Sequence, residues 1–231
     1  MNYAYILTLV LLCALYATGI CCMKYIRNLR LFNILFGCLV YIPYLWLSWI
    51  VYNDVGFYDW NFQNTLPTAN VSPFMFSLIP LLLILPKKAK NAVYLLISLL
   101  SVGMFGSAAL GCIGNAAINY KFHFHFLLDY ISHFALSLFG IYLIRTKQVE
   151  FHTKNCLVSA SIIFGSATVM LILNLIFDTA FFGLSLTGKH SIYNKVLVDN
   201  SYVSALIYYA GLLMVLLLGY GVCKLLHNKS K

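Results

Sequence analysis

Charged residues are scarce in this chain, and acidic residues are the scarcest. Asp, Glu, Lys and Arg make up 9% of its 231 residues, and only 6 residues are acidic against 15 that are basic. Soluble globular domains carry about 25% charged residues. This shortage excludes an ordinary soluble domain, and the 62% hydrophobic content predicts an integral membrane protein instead.

Paired-cysteine motifs and linker-like stretches are also missing. The 7 cysteines show no CxxC spacing and lie within apolar segments or at their ends, which excludes a disulfide framework and a zinc ribbon. No charge run or low-complexity segment marks a linker between domains. We therefore predict one integral membrane domain over residues 1–231, with no bound metal or cofactor.

Long apolar segments make up most of the chain. Each approaches the ~20 residues that an α-helix needs to cross a bilayer. They predict an all-α, polytopic membrane protein built as a bundle of seven transmembrane helices. The segments are residues 3–23, 31–52, 69–86, 92–118, 122–144, 156–182 and 203–223.

Basic residues are distributed unevenly between the connections. Twelve lie on one side of the predicted topology: Lys24, Arg27, Arg30, Lys87, Lys88, Lys90, Arg145, Lys147, Lys154, Lys224, Lys229 and Lys231. The other side has only Lys121, Lys189 and Lys195. Because Lys and Arg favour cytoplasmic loops, we predict a multi-pass cell-membrane protein with its N-terminus outside and its C-terminus in the cytoplasm. The net charge of +9 then reflects topology and does not indicate nucleic-acid binding.

The fifth apolar segment contains three ionisable residues at four-residue spacing, His125, Asp129 and His133. Residues four apart on a helix differ by only ~40° in direction, so the three side chains share one stripe. Ionisable groups inside a membrane are costly and are most often functional. A polar network that merely holds helices together is the alternative interpretation.

Further polar residues are expected at a similar depth. Three other predicted helices carry them in the outer half of the bilayer: Thr68, Asn70, Ser72, Asn115, Asn119, Asn174 and Asp178. Their convergence with the histidine stripe predicts a polar cavity open to the outer leaflet. We expect His125, Asn70, Ser72, Asn174 and Asp178 to bind substrate there.

The same residues supply the groups needed for acyl transfer. A hydroxyl beside a histidine provides a nucleophile and a base, and a carboxylate holds the histidine in the required tautomer. Thr68 or Ser72 is a candidate nucleophile, His133 the base, and Asp129 or Asp178 the carboxylate. Hydroxyl residues also commonly cap a helix start, which is the competing interpretation of Thr68 and Ser72.

Four stretches resemble the YwaF family of bacterial integral membrane proteins and its eukaryotic relatives, the transmembrane protein 164 acyltransferases. WNFQNTLPTANVSPF is similar to that family's W…Q..LP…C-N-I-S segment, and FHFHFLLDYISHFALSLFGIYL to its F.F…F.ISHG segment. KKAKNAVYLLISLLSVGMFGSA and NLIFDTAFFGLSLTGKHSIYNKVLVDN look similar as well. The resemblance extends over about residues 57–220.

This resemblance implies a membrane enzyme that moves a fatty acyl chain between membrane lipids. The family's catalytic histidine corresponds to His133, whereas its cysteine is replaced by Ala69 or Val71, depending on the alignment. The related androgen-induced hydrolases use a threonine with a histidine, which makes Thr68 the expected nucleophile here. We therefore expect a lipid acyltransferase or acyl-ester hydrolase with His133, Thr68 and Asp129 as catalytic residues and membrane lipids as substrate.

Two other functions compete with this prediction. A proton-coupled transporter or permease would use His125, Asp129 and His133 as a proton relay, although no internal repeat typical of such transporters is visible. A non-catalytic, divergent member of the family would explain the missing cysteine. Neither alternative changes the predicted fold.

Overall fold

A computed structural model describes residues 2–26, 28–53, 71–177, 182 and 201–229. Seven α-helices and one short 3₁₀ turn make up the regular structure of this part of the chain. The helices are α1 (Tyr3–Cys22), α2 (Leu29–Asn53), α3 (Val71–Leu81), α4 (Lys87–Ala117), α5 (Phe124–Arg145), α6 (Thr153–Phe177) and α7 (Ser201–Lys229), and the 3₁₀ turn is Met23–Tyr25. The prediction of an all-α protein is confirmed for the described residues.

Within the described residues, five helices are long and apolar enough to cross a membrane: α1, α4, α5, α6 and α7. The apolar stretches of α2 and α3 are shorter, Leu31–Trp46 and Val71–Leu81. The 11 residues of α3 extend only ~16 Å, about half of the ~30 Å hydrocarbon core. A membrane protein is therefore supported, whereas the predicted third span over residues 69–86 is not one full-length helix.

The centre of the bundle is the pair α4 and α5, which make the most extensive contact between helices. Gly140 of α5 permits this approach, because a Cβ there would lie 2.8 Å from the Ile97 carbonyl oxygen and 3.0 Å from the Ser98 Cα. The Ser98 hydroxyl donates a hydrogen bond to the Gly140 carbonyl at 2.9 Å. A small residue and an interhelical hydrogen bond together hold the two helices, as is common in membranes.

Helix α7 packs mainly on α4. Its Gly219 lies directly against the backbone of Leu99, where a Cβ would approach the carbonyl carbon to 2.7 Å. At a second position it is α4 that supplies the small residue, since Gly103 faces the Val215 side chain. Close packing of α4 against α7 therefore depends on glycine on both helices.

The helices run antiparallel, and two ends of the bundle can be distinguished. At the first, the Asn2 end, the Asn2 side chain donates to the Tyr120 carbonyl at 2.7 Å and joins the start of α1 to the α4–α5 connection. At the second, the Lys87 end, Lys87 lies 3.9 Å from Glu150 of the α5–α6 connection. This arrangement agrees with the predicted alternation of the helices. Which of the two ends faces the cytoplasm stays a prediction.

Candidate active site around Ser72 and His133

His133 is buried at the middle of α5. It lies nine residues after Phe124, which is ~14 Å along the helix, and its exposed fraction is 6%. The Phe76 ring of α3 packs edge-on against the imidazole, with ring centroids 5.4 Å apart. Tyr44 of α2 packs on the other side of Phe76 at 4.9 Å. Three helices therefore fix the orientation of the histidine ring.

Asp129, one turn earlier on α5, contacts one nitrogen of this ring. His133 Nδ1 lies 2.8 Å from the Asp129 backbone carbonyl oxygen and 3.3 Å from its carboxylate Oδ1. Both oxygens accept hydrogen bonds and neither donates. Nδ1 therefore carries a proton, and in the neutral form of the imidazole Nε2 on the opposite edge is unprotonated.

Ser72 of α3 occupies that opposite edge. Its Oγ lies 2.7 Å from His133 Nε2, and in the neutral form of the ring the serine hydroxyl donates to that nitrogen. Ser72 is the second residue of α3. Its expected roles in substrate binding or in capping stay predictions, and the structure shows its hydroxyl as a partner of His133 Nε2.

The first turn of α3 has a second property that suits this chemistry. The first N–H groups of a helix have no partner within it, and they carry the positive end of the helix dipole. In the first described turn of α3, Val71, Ser72 and Phe74 carry an N–H and Pro73 does not. Backbone N–H groups of this kind stabilise the negative oxygen that forms during acyl transfer.

The three side chains differ in their access to the surroundings. The Asp129 side chain is 37% exposed, whereas that of His133 is 7% exposed, and Ser72 is half-buried. The Asp129 carboxylate is therefore the most accessible member of the group, and His133, between Asp129 and Ser72, is the least.

The structure describes the other predicted site residues only in part. Thr68, Asn70 and Asp178 lie outside the described residues. His125 belongs to the first turn of α5, but its side chain is not among those described. Asn174 is buried on α6, a helix whose main contacts are with α4 and α7.

Two asparagines assigned to the outer cavity have different roles. Asn115 donates to the Tyr130 hydroxyl at 2.8 Å and ties α4 to α5. Asn119 follows the end of α4 with a φ of 54°, a left-handed conformation that asparagine adopts more readily than most residues. Helix packing and helix termination explain both residues.

The importance of Phe76 and Tyr44 was not predicted from the sequence. Phe76 is four residues after Ser72, so the two share one face of α3, and that spacing was the available signal.

Among the described residues, no group of three His, Cys, Asp or Glu side chains is placed to hold a metal ion.

Comparison with known proteins identifies no relative. No protein-family model, curated protein or solved structure matches the chain. The resemblance to the YwaF family therefore stays a prediction, and the arrangement of Ser72, His133 and Asp129 is the basis on which function is proposed.

Proposed function

We propose that the protein is a membrane-embedded acyl-ester hydrolase or acyltransferase that uses Ser72 as nucleophile. The observation that carries the proposal is the 2.7 Å contact between Ser72 Oγ and His133 Nε2, with Nδ1 of the same ring held by Asp129. This is the order of groups found in Ser-His-Asp catalysis, where each member is recognised by geometry.

The chemistry follows from the positions of these atoms. Ser72 Oγ attacks the ester carbonyl carbon while its proton passes to His133 Nε2, and the negative oxygen that forms is stabilised by N–H groups of the first turn of α3. The bond to the alcohol breaks as that alcohol takes the proton from Nε2. Water or a second alcohol then releases the acyl group from Ser72 by the same steps in reverse.

Membrane lipids are the proposed substrates. His133 lies near the middle of α5, and Ser72 of α3 lies beside it. Helix α5 is among the helices long and apolar enough to cross a membrane. A molecule that reaches this depth has to be apolar itself, and an ester with a long acyl chain meets that requirement. The proposal includes membership of the YwaF-like acyltransferases, whose C-N-I-S segment has its serine at the position of Ser72.

Covalent labelling tests the nucleophile directly. Membranes containing the protein are treated with a fluorophosphonate probe, which forms an oxygen–phosphorus bond with an activated serine and releases fluoride. We expect labelling of the wild type, none of Ser72→Ala, and a rate lower by roughly 10³-fold or more in His133→Ala. Ser77→Ala is the matched control, because the Ser77 hydroxyl on the same helix donates to the Phe74 carbonyl at 2.7 Å.

Thr68→Ala separates the two nucleophile assignments. Labelling that survives in Ser72→Ala and disappears in Thr68→Ala would identify Thr68 as the nucleophile. A folded wild-type protein that never labels would contradict the acyl-enzyme. The Ser72–His133 hydrogen bond would then be a link between α3 and α5, and the proton-relay interpretation of His133 and Asp129 would gain support.

A further inference from the structure

A cavity of about 740 Å³ lies away from Ser72, between α2, α3, α4 and α5. Its walls come mainly from apolar side chains of α2, of α3 and of the turn that follows α3, including Ile34, Ile42, Ile79 and Leu83. At this end of the bundle α3 ends at Leu81 and the chain turns before α4 begins at Lys87. Its size lies within the range of small-molecule sites, ~300–1,000 Å³.

One end of this cavity is polar and positively charged. Lys90, Tyr94, Asn33 and Gln148 line it there. The side chains of Asn33 and Gln148 pair with each other at 2.6 Å, and Asn33 also donates to the Tyr94 hydroxyl at 3.5 Å. The Tyr94 hydroxyl accepts this bond, so it can still donate a hydrogen bond to another acceptor.

The Lys90 charge has no acidic partner within the described part of the chain. The two acidic residues described there are Asp129 and Glu150, and Glu150 lies by Lys87 while Asp129 lies by His133. Lys90 is half-buried, whereas Lys88, two residues earlier on the same helix, is exposed. A half-buried cation at the mouth of an apolar cavity favours an anionic group.

We propose that this cavity binds an anionic phospholipid from the leaflet at the Lys87 end of the bundle. The phosphate accepts from the Lys90 ammonium and the Tyr94 hydroxyl, and one acyl chain lies between α2 and α3. Lys90 belongs to the basic end of the bundle together with Lys87 and Lys88, where anionic headgroups are most strongly attracted.

This lipid site is separate from Ser72. Ile79, which lines the cavity, is seven residues after Ser72 on α3, or ~10 Å along the helix. Phe76, whose ring packs against His133 and against Tyr44 at 4.9 Å, comes between Ser72 and Ile79 along α3. The bound lipid is therefore a resident molecule and not the acyl donor, and the proposal holds whether or not Ser72 is a nucleophile.

Photocrosslinking in nanodiscs tests the proposal on the full chain. Phosphatidylcholine nanodiscs are doped with phosphatidylglycerol carrying a diazirine on its acyl chain, and crosslinked peptides are identified by mass spectrometry. We expect crosslinks to α2 and α3, reduced about fivefold in Lys90→Gln, the effect of removing one lysine near an anionic surface. Lys88→Gln is the matched control with the same change in charge, and it should crosslink like the wild type.

A second variant tests the cavity itself. Cys38 is exposed and lines the cavity, so Cys38→Trp should block crosslinking to α3, whereas Cys21→Trp on the exposed surface of α1 should not. Equal crosslinking of phosphatidylglycerol and of a phosphatidylcholine probe with the same chain would overturn the proposal, as would equal losses in Lys90→Gln and Lys88→Gln.

Discussion

Asp129 contacts His133 through both a backbone and a side-chain oxygen. The backbone carbonyl is the closer of the two, at 2.8 Å against 3.3 Å for the carboxylate. No substitution of the side chain removes the carbonyl, so the proton stays on Nδ1 when the carboxylate is lost. The carboxylate's remaining contribution is to stabilise the charged imidazolium during the reaction.

Asp129→Asn should therefore reduce activity only moderately. We expect a loss well short of the roughly 10⁴-fold that the same change causes where the carboxylate alone fixes the tautomer. Rates of fluorophosphonate labelling for Asp129→Asn, Asp129→Ala and His133→Ala provide the comparison. A loss in Asp129→Asn as large as that in His133→Ala would show that the backbone carbonyl does not hold the tautomer.

The histidine half of this group could be predicted from the sequence, and the serine half could not. Four-residue spacing within one apolar segment was enough to bring Asp129 beside His133, because a helix fixes that geometry locally. The choice between Ser72 and Thr68 depends on the residue at which α3 begins and on the depth at which it meets α5. Those are tertiary features, and no local pattern specifies them.

At Gly219 the backbone of α7 lies against the backbone of α4. A methyl group there would meet the Leu99 backbone, 2.7 Å from its carbonyl carbon and 3.1 Å from its Cα, and backbone inside a helix cannot rotate away. Gly219→Ala should destabilise the protein by about 3 kcal/mol, the upper part of the range for overpacked cores. Thermal unfolding in detergent, followed by loss of the monodisperse peak, measures the effect.

Gly221, half a turn further on α7, is the matched control. A Cβ at Gly221 has no described atom within 4 Å. Gly221→Ala should leave stability unchanged or raise it by up to ~1 kcal/mol, the difference in helix propensity. Equal unfolding temperatures for the two variants would mean that α7 does not pack on α4 as described.

Helix α3 shows that an unbroken apolar segment need not form one full-length helix. Residues 81–85 are Leu, Leu, Leu, Ile and Leu, so hydropathy continues unbroken through the place where the helix ends. The chain turns there before Pro86, which precedes α4 in an extended conformation with ψ of 157°. Hydropathy reports the surroundings of a segment, and it does not report whether the segment is one helix.

The arrangement of the two ends predicts the protein's orientation in the cell membrane. Lys121 is exposed in the α4–α5 connection at the Asn2 end, and Lys88 is exposed at the Lys87 end. From the positive-inside rule we expect the Lys87 end to face the cytoplasm. In a cysteine-free background, Lys121→Cys should react with a membrane-impermeant maleimide on intact cells, and Lys88→Cys only after permeabilisation. The reverse pattern would invert the proposed topology.

Most of the bundle was nevertheless predictable from composition and periodicity. Six of the seven predicted segments, all except residues 69–86, overlap a described helix of 20 residues or more. The contacts among these helices were not predictable, because they depend on single positions. Gly140 and Ser98 bring α4 and α5 together, and a hydropathy profile gives these residues no special weight.

The depth at which α3 begins also controls how much water reaches Ser72. Ser72 lies beside the middle of α5, and in the proposed membrane arrangement water is far less concentrated there than at the membrane surface, while lipid molecules are abundant. An acyl group attached to Ser72 would then meet a lipid hydroxyl more often than a water molecule. Scarcity of water would bias the outcome from hydrolysis towards exchange of chains between lipids, without any residue that selects the acceptor.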